Sequence, residues 1–351
     1  MNRVLFVSPV AFSGLQQRHQ SLAAELAKND WQVNFVDPLQ TGGLSCKTEQ
    51  ATPNLEVVKI RVPFKGVKWP AIQTICAKFA MLLLGSKLAL SRHNTLLWIA
   101  EPSLAWLSLY KWQAVVYDRC DLHGSFPGQQ QLVWQKYEDI LFKRATLVSC
   151  SHEYLQQSLP EHARIKSVLA SNACANIFFS ERLQQRPAGR PLKMVSAGAH
   201  HEWVDSGWLA MMCDHDNVEL HLAGTGRGGD YENLRRLPRV INHGKLDRPE
   251  LARLLKACDI GLIAFKDIEL IKGVDPVKAY EYAASGLEIW APPIKALRGN
   301  QLISKYVGNS GERNQAVADF ASLPLPPPAT IARWSDRLQT ILDRLTVLRS
   351  D

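Results

Sequence analysis

The segment KGVDPVKAYEYAASGL, residues 272 to 287, places a lysine and a glutamate three positions apart at the head of a short helix. Asp275 is expected as the N-cap, Pro276 as the first helical residue and Gly286 as the stop. Lys278 and Glu281 then share one helix face. A helix N-terminus already carries about half a positive charge and unsatisfied N–H groups, so a cation in the first turn works against stability unless an anion binds there. A diphosphate beside a ribose would use both side chains, Lys278 as counter-charge and Glu281 as acceptor from two hydroxyls. The plain alternative is a surface ion pair worth roughly 0.2–0.5 kcal/mol.

The elements that would position such a site alternate along the whole chain. Short apolar runs, RVLFVSP, WQVNFVD, LEVVKI, TLLWIA, AVVYD, TLVSC and IKSVLAS, are separated by helical patterns such as QRHQSLAAELAKN and QLVWQKYEDILFKRA. A second series follows: KMVSAG, VELHLAG, RVINHG, DIGLIAF and LEIWAP. Fully apolar strands between helices predict α/β structure with parallel sheets covered on both faces. Between the two series lies ERLQQRPAGRP, residues 181 to 191, a polar segment punctuated by proline and glycine that reads as a linker. The expected organisation is therefore two doubly wound, Rossmann-like domains, 1–185 and 190–330, facing across a cleft. The tail over 331–351 is expected to form a helix packing back on the first domain. In such sheets ligands bind beyond the carboxyl ends of the strands. The proline run at 324–328 is read as the end of the preceding helix.

The 351 residues, 46% hydrophobic, suffice for two ordinary cores. A formal charge of +8 suits an anionic substrate, nucleic acid or membrane surface without choosing among them. No recognised nucleic-acid module or basic stripe appears, so no nucleic-acid partner is expected. The seven cysteines are scattered without a C-x-x-C pair, which argues against a disulfide framework or zinc site. AKFAMLLLGSKLAL, residues 77 to 90, is interrupted by Lys87 and falls short of the roughly 18–20 apolar residues of a membrane span.

DPVKAYEYAASGLEIWAPP resembles the donor-nucleotide segment of glycosyltransferases with the GT-B fold, where a P-x-K-x-x-E-Y-x-A-x-G pattern precedes an apolar strand. The resemblance extends through VELHLAGTG and RVINHGKLDRPELARLLKACDIGLIAF, and through TLVSCSHEYLQQSLPEHARIKSVLASNACANIFF with Asn172 and Phe178. The usual Asn-Gly-Val-Asp is Asn-Ala-Cys-Ala here. QQRHQSLAAELA, VVYDRCDLHGSF and HHEWVD, with Trp203 and Asp205, are similar to the teichuronic-acid-type and xanthan glucuronosyltransferase-type enzymes of bacterial surface polysaccharide assembly. The resemblance implies a nucleotide-sugar donor, a UDP-sugar, gripped by the C-terminal domain, and a glycan or lipid-linked acceptor gripped by the N-terminal one. The scattered cysteines look like reduced cytosolic thiols, so a cytoplasmic enzyme, soluble or peripheral on the inner face of the plasma membrane, is expected.

Transfer with inversion needs a base for the acceptor hydroxyl. AVVYDRCDLHG offers Asp118, Asp121 and His123 at the end of a buried strand, and by resemblance Asp121 is the first choice, Asp118 the second. Both aspartates could instead merely cap turns. Many retaining relatives carry a glutamate eight residues before the one matching Glu281, and position 273 here is glycine, which favours inversion. A retaining transferase, or a GT-B-like scaffold that binds without transferring, remains the competing reading. No metal or other cofactor is expected, because Lys278 and the helix N-terminus can neutralise the leaving diphosphate.

The remaining donor-site candidates are Pro276, Val277, Gly224 and Gly226 in GTGRGG, Gly244 and Lys245 in NHGKL, and Gly14 in AFSGLQQRH. GTGRGG also matches a dinucleotide pattern, yet RVINHG lacks the acidic residue such a site wants. Arg18, His19 and His123 are candidate contacts to an anionic donor or acceptor. His200, His201 and Glu202 lack the i,i+4 geometry of a helical metal pair. Residues 65 to 92 combine Lys65, Lys68, Trp69, Lys78, Lys87 and Arg92 with an apolar body, a pattern suited either to anionic lipid or to a core-facing helix with solvated lysines.

Overall fold

A computed structural model describes residues 2–88, 92–179, 190–320, 322 and 330–350. Positions 181–189 of the expected linker, the proline run at 324–328 and the side chain of Lys87 lie outside them. The chain divides into two units. The first comprises Met1–Asn172, Gly273–Asp275 and Trp334–Asp351, and the second Ala173–Lys272 and Pro276–Arg333. The division thus falls at Asn172, earlier than the 185 expected from composition, and the donor-segment residues Gly273–Asp275 belong to the first unit.

The first unit contains strands β1 (Arg3–Val7), β2 (Gln32–Val36), β3 (Gln40–Thr41), β4 (Ser45–Thr52), β5 (Leu55–Val62), β6 (Thr95–Ile99), β7 (Ala114–Arg119), β8 (Leu147–Cys150) and β9 (Ser167–Leu169). Among the described residues they form one sheet in the order β3-β5-β2-β1-β6-β7-β8-β9, with β4 antiparallel on β5. Every apolar run of the first series forms a strand. Polar β4 and two-residue β3 went unread because neither buries an apolar face. Helices α1 (Arg18–Lys28), α2 (Pro70–Leu88), α3 (Gln131–Arg144), α4 (Glu153–Gln157) and α5 (Glu161–Arg164) complete the βα alternation.

The second unit has the order β12-β11-β10-β13-β14-β15, built from β10 (Leu192–His200), β11 (Val218–Gly226), β12 (Val240–Gly244), β13 (Ile260–Leu262), β14 (Glu288–Ala291) and β15 (Lys305–Tyr306). Its helices are α6 (Ser206–Cys213), α7 (Gly229–Leu234), α8 (Arg248–Ala257), α9 (Val277–Ala284) and α10 (Ser310–Asp319). The final helix, α11 (Trp334–Ser350), buries Trp334, Leu338, Ile341 and Leu345 as one stripe and packs on α1, β8 and β9 of the first unit.

Glycine matters where backbones approach. Gly224 has φ 126°, and a Cβ there would lie 1.9 Å from the carbonyl oxygen of Gly198 on the neighbouring strand. Neither the dihedral nor the spacing admits a side chain. Gly224→Ala is expected to destabilise the second unit by about 2–4 kcal/mol, read as a lower urea midpoint; an unchanged midpoint would refute that packing.

Candidate functional site

In the second unit, α9 begins beyond β13, after the loop that carries Glu269–Gly273. Asp275 does not cap it. The cap position is Pro276, with extended dihedrals and no side-chain cap bond, and the first helical residue is Val277. Asp275 is occupied elsewhere: its Oδ2 accepts from the Asn172 N–H and its carbonyl from Asn172 Nδ2, each at 2.5 Å. The stop is as expected. Gly286 takes φ 83°, its N–H donates to Ala283 O at 3.1 Å, and the Leu287 N–H donates to Tyr282 O at 3.0 Å, a paired C-terminal closure.

Tyr282 sets the rotation of α9. It is fully buried, its hydroxyl accepts from the Ala197 N–H at 2.7 Å, and its ring fills the space a Cβ on Gly261 would need. Lys278, one turn before Tyr282, and Glu281, the residue beside it, flank that contact on the helix surface. The Lys278 amine sits 4.9 Å from the Phe265 ring centroid, and burial lowers it to about 8 against the opposing influence of Glu281. Glu281 is buried, and desolvation raises its carboxyl to about 7 although Arg248 and Lys278 act to lower it. The two do not form the surface ion pair considered above. Glu281 Oε1 instead lies 3.6 Å from Arg248 Nη2.

Arg248 escaped the sequence reading, yet its signal resembles that of Lys278. It is the first residue of α8, a cation where the helix dipole disfavours one. Its guanidinium lies 4.8 Å over the Phe178 ring, and Nη2 is buried without a hydrogen-bond partner. Gly224, Gly226 and Gly244 end β11 and β12 at their carboxyl side, and a Cβ on Gly226 would run into the Tyr231 ring at 2.5 Å. Exposed Lys245 follows. His200 bonds Ser196 Oγ through Nε2 at 3.0 Å and stacks on Tyr231, while His201 packs against Trp203. The adjacent histidines therefore diverge, and Asp205 caps α6 by accepting from the Trp208 N–H at 2.8 Å.

In the first unit the aspartates after the buried run AVVYD separate into two roles. Asp118 is fully buried. Burial would raise its carboxyl, but Arg18 outweighs that and holds it below the usual range. Arg18 donates from Nη2 to Asp118 Oδ1 at 2.8 Å and to Ser149 Oγ at 3.0 Å, and from Nη1 to Ala170 O at 2.6 Å. This corrects two expectations. Arg18 does not face solvent or an incoming anion, and Asp118, enclosed in this pair, cannot reach an acceptor hydroxyl. Sequence spacing could not show it, because the partners are a hundred residues apart.

Asp121 is different. It is half-buried, and desolvation raises its carboxyl, opposed by His123 and a hydrogen bond from the Cys120 thiol. His123 stacks on Trp134 at 5.3 Å, and His19 Nε2 lies 3.7 Å from Cys120 Sγ. The Nδ1 atoms of both histidines are buried without a hydrogen-bond partner. Burial brings His19 down to about 4, so it is uncharged at neutral pH and could meet an anion only as a neutral hydrogen-bond donor. Gly14 closes a turn onto Ala11 O at 2.9 Å, where a Cβ would collide with the same oxygen. At Gly273 a Cβ would lie 2.7 Å from Leu155 Cδ2, so a side chain there would require the end of that leucine to move.

The two-unit α/β architecture is that of GT-B glycosyltransferases. Its relatives by structure include sucrose-phosphate synthase from Thermosynechococcus elongatus, with TM-score 0.67 and 14% identity over 99% of this chain and 95% of that one. Anabaena HepE in complex with UDP and glucose gives TM-score 0.61 at 12% identity, covering 100% and 98%. The UDP-forming α,α-trehalose-phosphate synthase from Burkholderia vietnamiensis gives 0.57 at 12%, covering 100% and 97%. In sequence, the chain is 26% identical over 218 residues to a Bacillus subtilis (strain 168) protein named as a teichuronic acid biosynthesis glycosyltransferase, TuaH. That match covers 54% of this chain and 53% of the relative, so the chain spans about half the length of the curated relative it matches. No protein-family model matches the chain.

An ammonium that titrates near 8 attracts an anion below that pH and loses the attraction above it. Pyrophosphate affinity, measured by calorimetry, is therefore expected to fall as pH rises from 7 to 9. Lys278→Met should weaken binding at pH 7 by about tenfold and flatten the profile. A variant that binds with the wild-type profile would remove Lys278 from the site.

Proposed function

We propose that this protein is a glycosyltransferase that moves a hexosyl or uronosyl group from a UDP-sugar to a glycan or lipid-linked acceptor in surface polysaccharide synthesis, with inversion and without a metal. The observation that carries the reading is the head of α9, where a lysine and a buried, hydrogen-bond-poor glutamate stand on one face at the carboxyl side of a parallel sheet. That arrangement suits a diphosphate beside a diol. The TuaH similarity supports the polysaccharide context, and the HepE complex with UDP and glucose supports the donor class.

In this reading Asp121 accepts the proton of the acceptor hydroxyl as that oxygen forms a bond to the anomeric carbon. The bond from that carbon to the diphosphate oxygen breaks, and its electron pair leaves with the nucleoside diphosphate. Lys278 and the N–H groups of α9 stabilise the departing charge, which is the support for metal independence. Gly273 supports inversion, since glycine stands where the second glutamate of retaining transferases would be. The raised carboxyl of Asp121 makes it a stronger proton acceptor than an ordinary aspartate. Asp121→Asn should lower turnover by about 10²- to 10⁴-fold while leaving UDP affinity intact; normal turnover would remove Asp121 as the base. Product anomers read by NMR separate inversion from retention.

The protein is further proposed to be cytoplasmic and to rest on anionic lipid. No described helix is long and apolar enough to cross a membrane. α2 buries Cys76, Ala77, Ala80, Met81 and Leu84 in the first core, so part of the segment is the core-facing helix that was the plain alternative. Its other side exposes Ile72, Ile75 and Leu82, next to exposed Phe64 and Trp69 and to Lys65, Lys68 and Lys78. Apolar side chains ringed by lysines fit an acidic lipid surface. Sedimentation with phosphatidylglycerol vesicles is expected, and Trp69→Ala with Ile75→Asp should abolish it. Equal sedimentation of wild type and variant would refute this surface.

A further inference from the structure

One face of the first sheet changes character along its strands. Residues 3, 5 and 7 of β1, 32, 34 and 36 of β2, and 56, 58 and 60 of β5 share that face by register. On it, Leu5, Val7, Val36, Val58 and Ile60 belong to the first core. At the amino ends of the same strands stand Arg3, Gln32, Asn34 and Glu56, with Asn54 just before β5 and Gln50 opposite Glu56 on β4. Strands of a covered parallel sheet are ordinarily apolar on both faces, so this polar block breaks a rule that the rest of the sheet obeys. It lines an open cavity of about 330 Å³, a volume within the range of small-molecule sites. Asp121 follows the carboxyl end of β7 in the same parallel sheet, whereas the cavity lies at the amino ends. The two ends are a strand length apart, about 16 Å for five residues.

The side chains there fix one another and leave defined atoms free. Arg3 Nε donates to Asn34 Oδ1 at 3.1 Å and Arg3 Nη2 to Leu88 O at 3.0 Å, while Asn34 Nδ2 donates to Glu56 Oε2 at 3.0 Å. Asn34, only 5% exposed, is thereby held between a cation and a carboxylate, which set the direction of its amide from both sides. Gln32 Nε2 donates to Asn54 Oδ1 at 2.8 Å, and Asn54 Nδ2 to Ala27 O at 3.1 Å. Among the described residues, Arg3 Nη1, Glu56 Oε1 and Gln32 Oε1 make no hydrogen bond. One guanidinium and one carboxylate cancel, which disfavours a phosphate or carboxylate as ligand. Fixed donors and acceptors, intermixed and without net charge, match a row of hydroxyls, each of which accepts through oxygen and donates through hydrogen. We infer that this cavity binds a neutral sugar ring, at a site separate from that of transfer and independent of the reading of α9.

The side-chain amides of Gln32, Asn34 and Asn54 are themselves reporters of occupancy. NMR titration of the isotope-labelled protein with the methyl glycosides of glucose, galactose, mannose and N-acetylglucosamine follows their resonances. At least one glycoside should shift all three amides saturably. Glu56→Gln keeps an oxygen for Asn34 Nδ2 and turns the free acceptor into a donor, so it preserves the network, and the urea midpoint with it, while spoiling one contact to the ligand. Affinity for that glycoside should then fall by about tenfold, the usual loss for a hydrogen bond to a charged group. The inference is overturned if no glycoside moves the three amides, or if Glu56→Gln binds as tightly as wild type. It is also overturned if inorganic phosphate or glycine moves them and the glycosides do not, since the cavity would then take an anion or a zwitterion.

Discussion

The second unit depends on one side chain. Tyr282 lies wholly inside, its ring against the bare backbone of Gly261 and its hydroxyl accepting from the Ala197 N–H. A buried phenol needs a partner for its oxygen, and a strand whose N–H it takes cannot offer that group elsewhere. The tyrosine therefore joins α9 to both β10 and β13 and fixes the rotation of the helix. Lys278 stands one turn before Tyr282 on nearly the same line of the helix, and Glu281 stands next to it. Rotating an eight-residue helix by one position would put Ala279 and Tyr282 where Lys278 and Glu281 stand.

Electrostatics divides the ionisable groups of each unit into settled and unsettled ones. Arg18 and Asp118 are both buried and saturate each other, with Ser149 and Ala170 taking the remaining donors, and such a pair is a structural joint. Asp121 and Glu281 are carboxyls that burial raises without a full set of bonds to compensate, and Lys278 is an amine that burial lowers. Groups of this second kind are where ligand binding or proton transfer gains the most, because the protein itself has left their charge poorly solvated.

Glycine and cation placement tell the same story at the level of local structure. At Gly224 the opposite strand's backbone excludes any side chain, while at Gly273 a side chain would press on the end of a neighbouring leucine. Lys278 and Arg248 both stand in first turns, against the helix dipole, within one cluster around Glu281. Two departures from helix-stabilising rules thus converge on one carboxylate, and the proposed donor site rests on that convergence.

Much of this was legible in the chain itself. The twelve apolar runs read as strands all form strands, since a buried parallel strand needs apolar residues on both faces and little else imitates that pattern. The helix stop at Gly286 was legible because only glycine adopts a left-handed closure cheaply. The Lys278 signal was legible because a cation at a helix start breaks a local rule. What the chain could not disclose were pairings across long separations: Arg18 with Asp118, Asn172 with Asp275, Arg248 with Glu281 and Tyr282 with Ala197. Each depends on which side chains share a desolvated space. Periodicity and spacing report only the neighbours a residue has along its own helix or strand, so they located the charged residues but not their partners. Tertiary packing brings the others within bonding distance and removes the water that would otherwise make the choice irrelevant, and it alone enclosed Asp118 against Arg18 and left Asp121 half-buried.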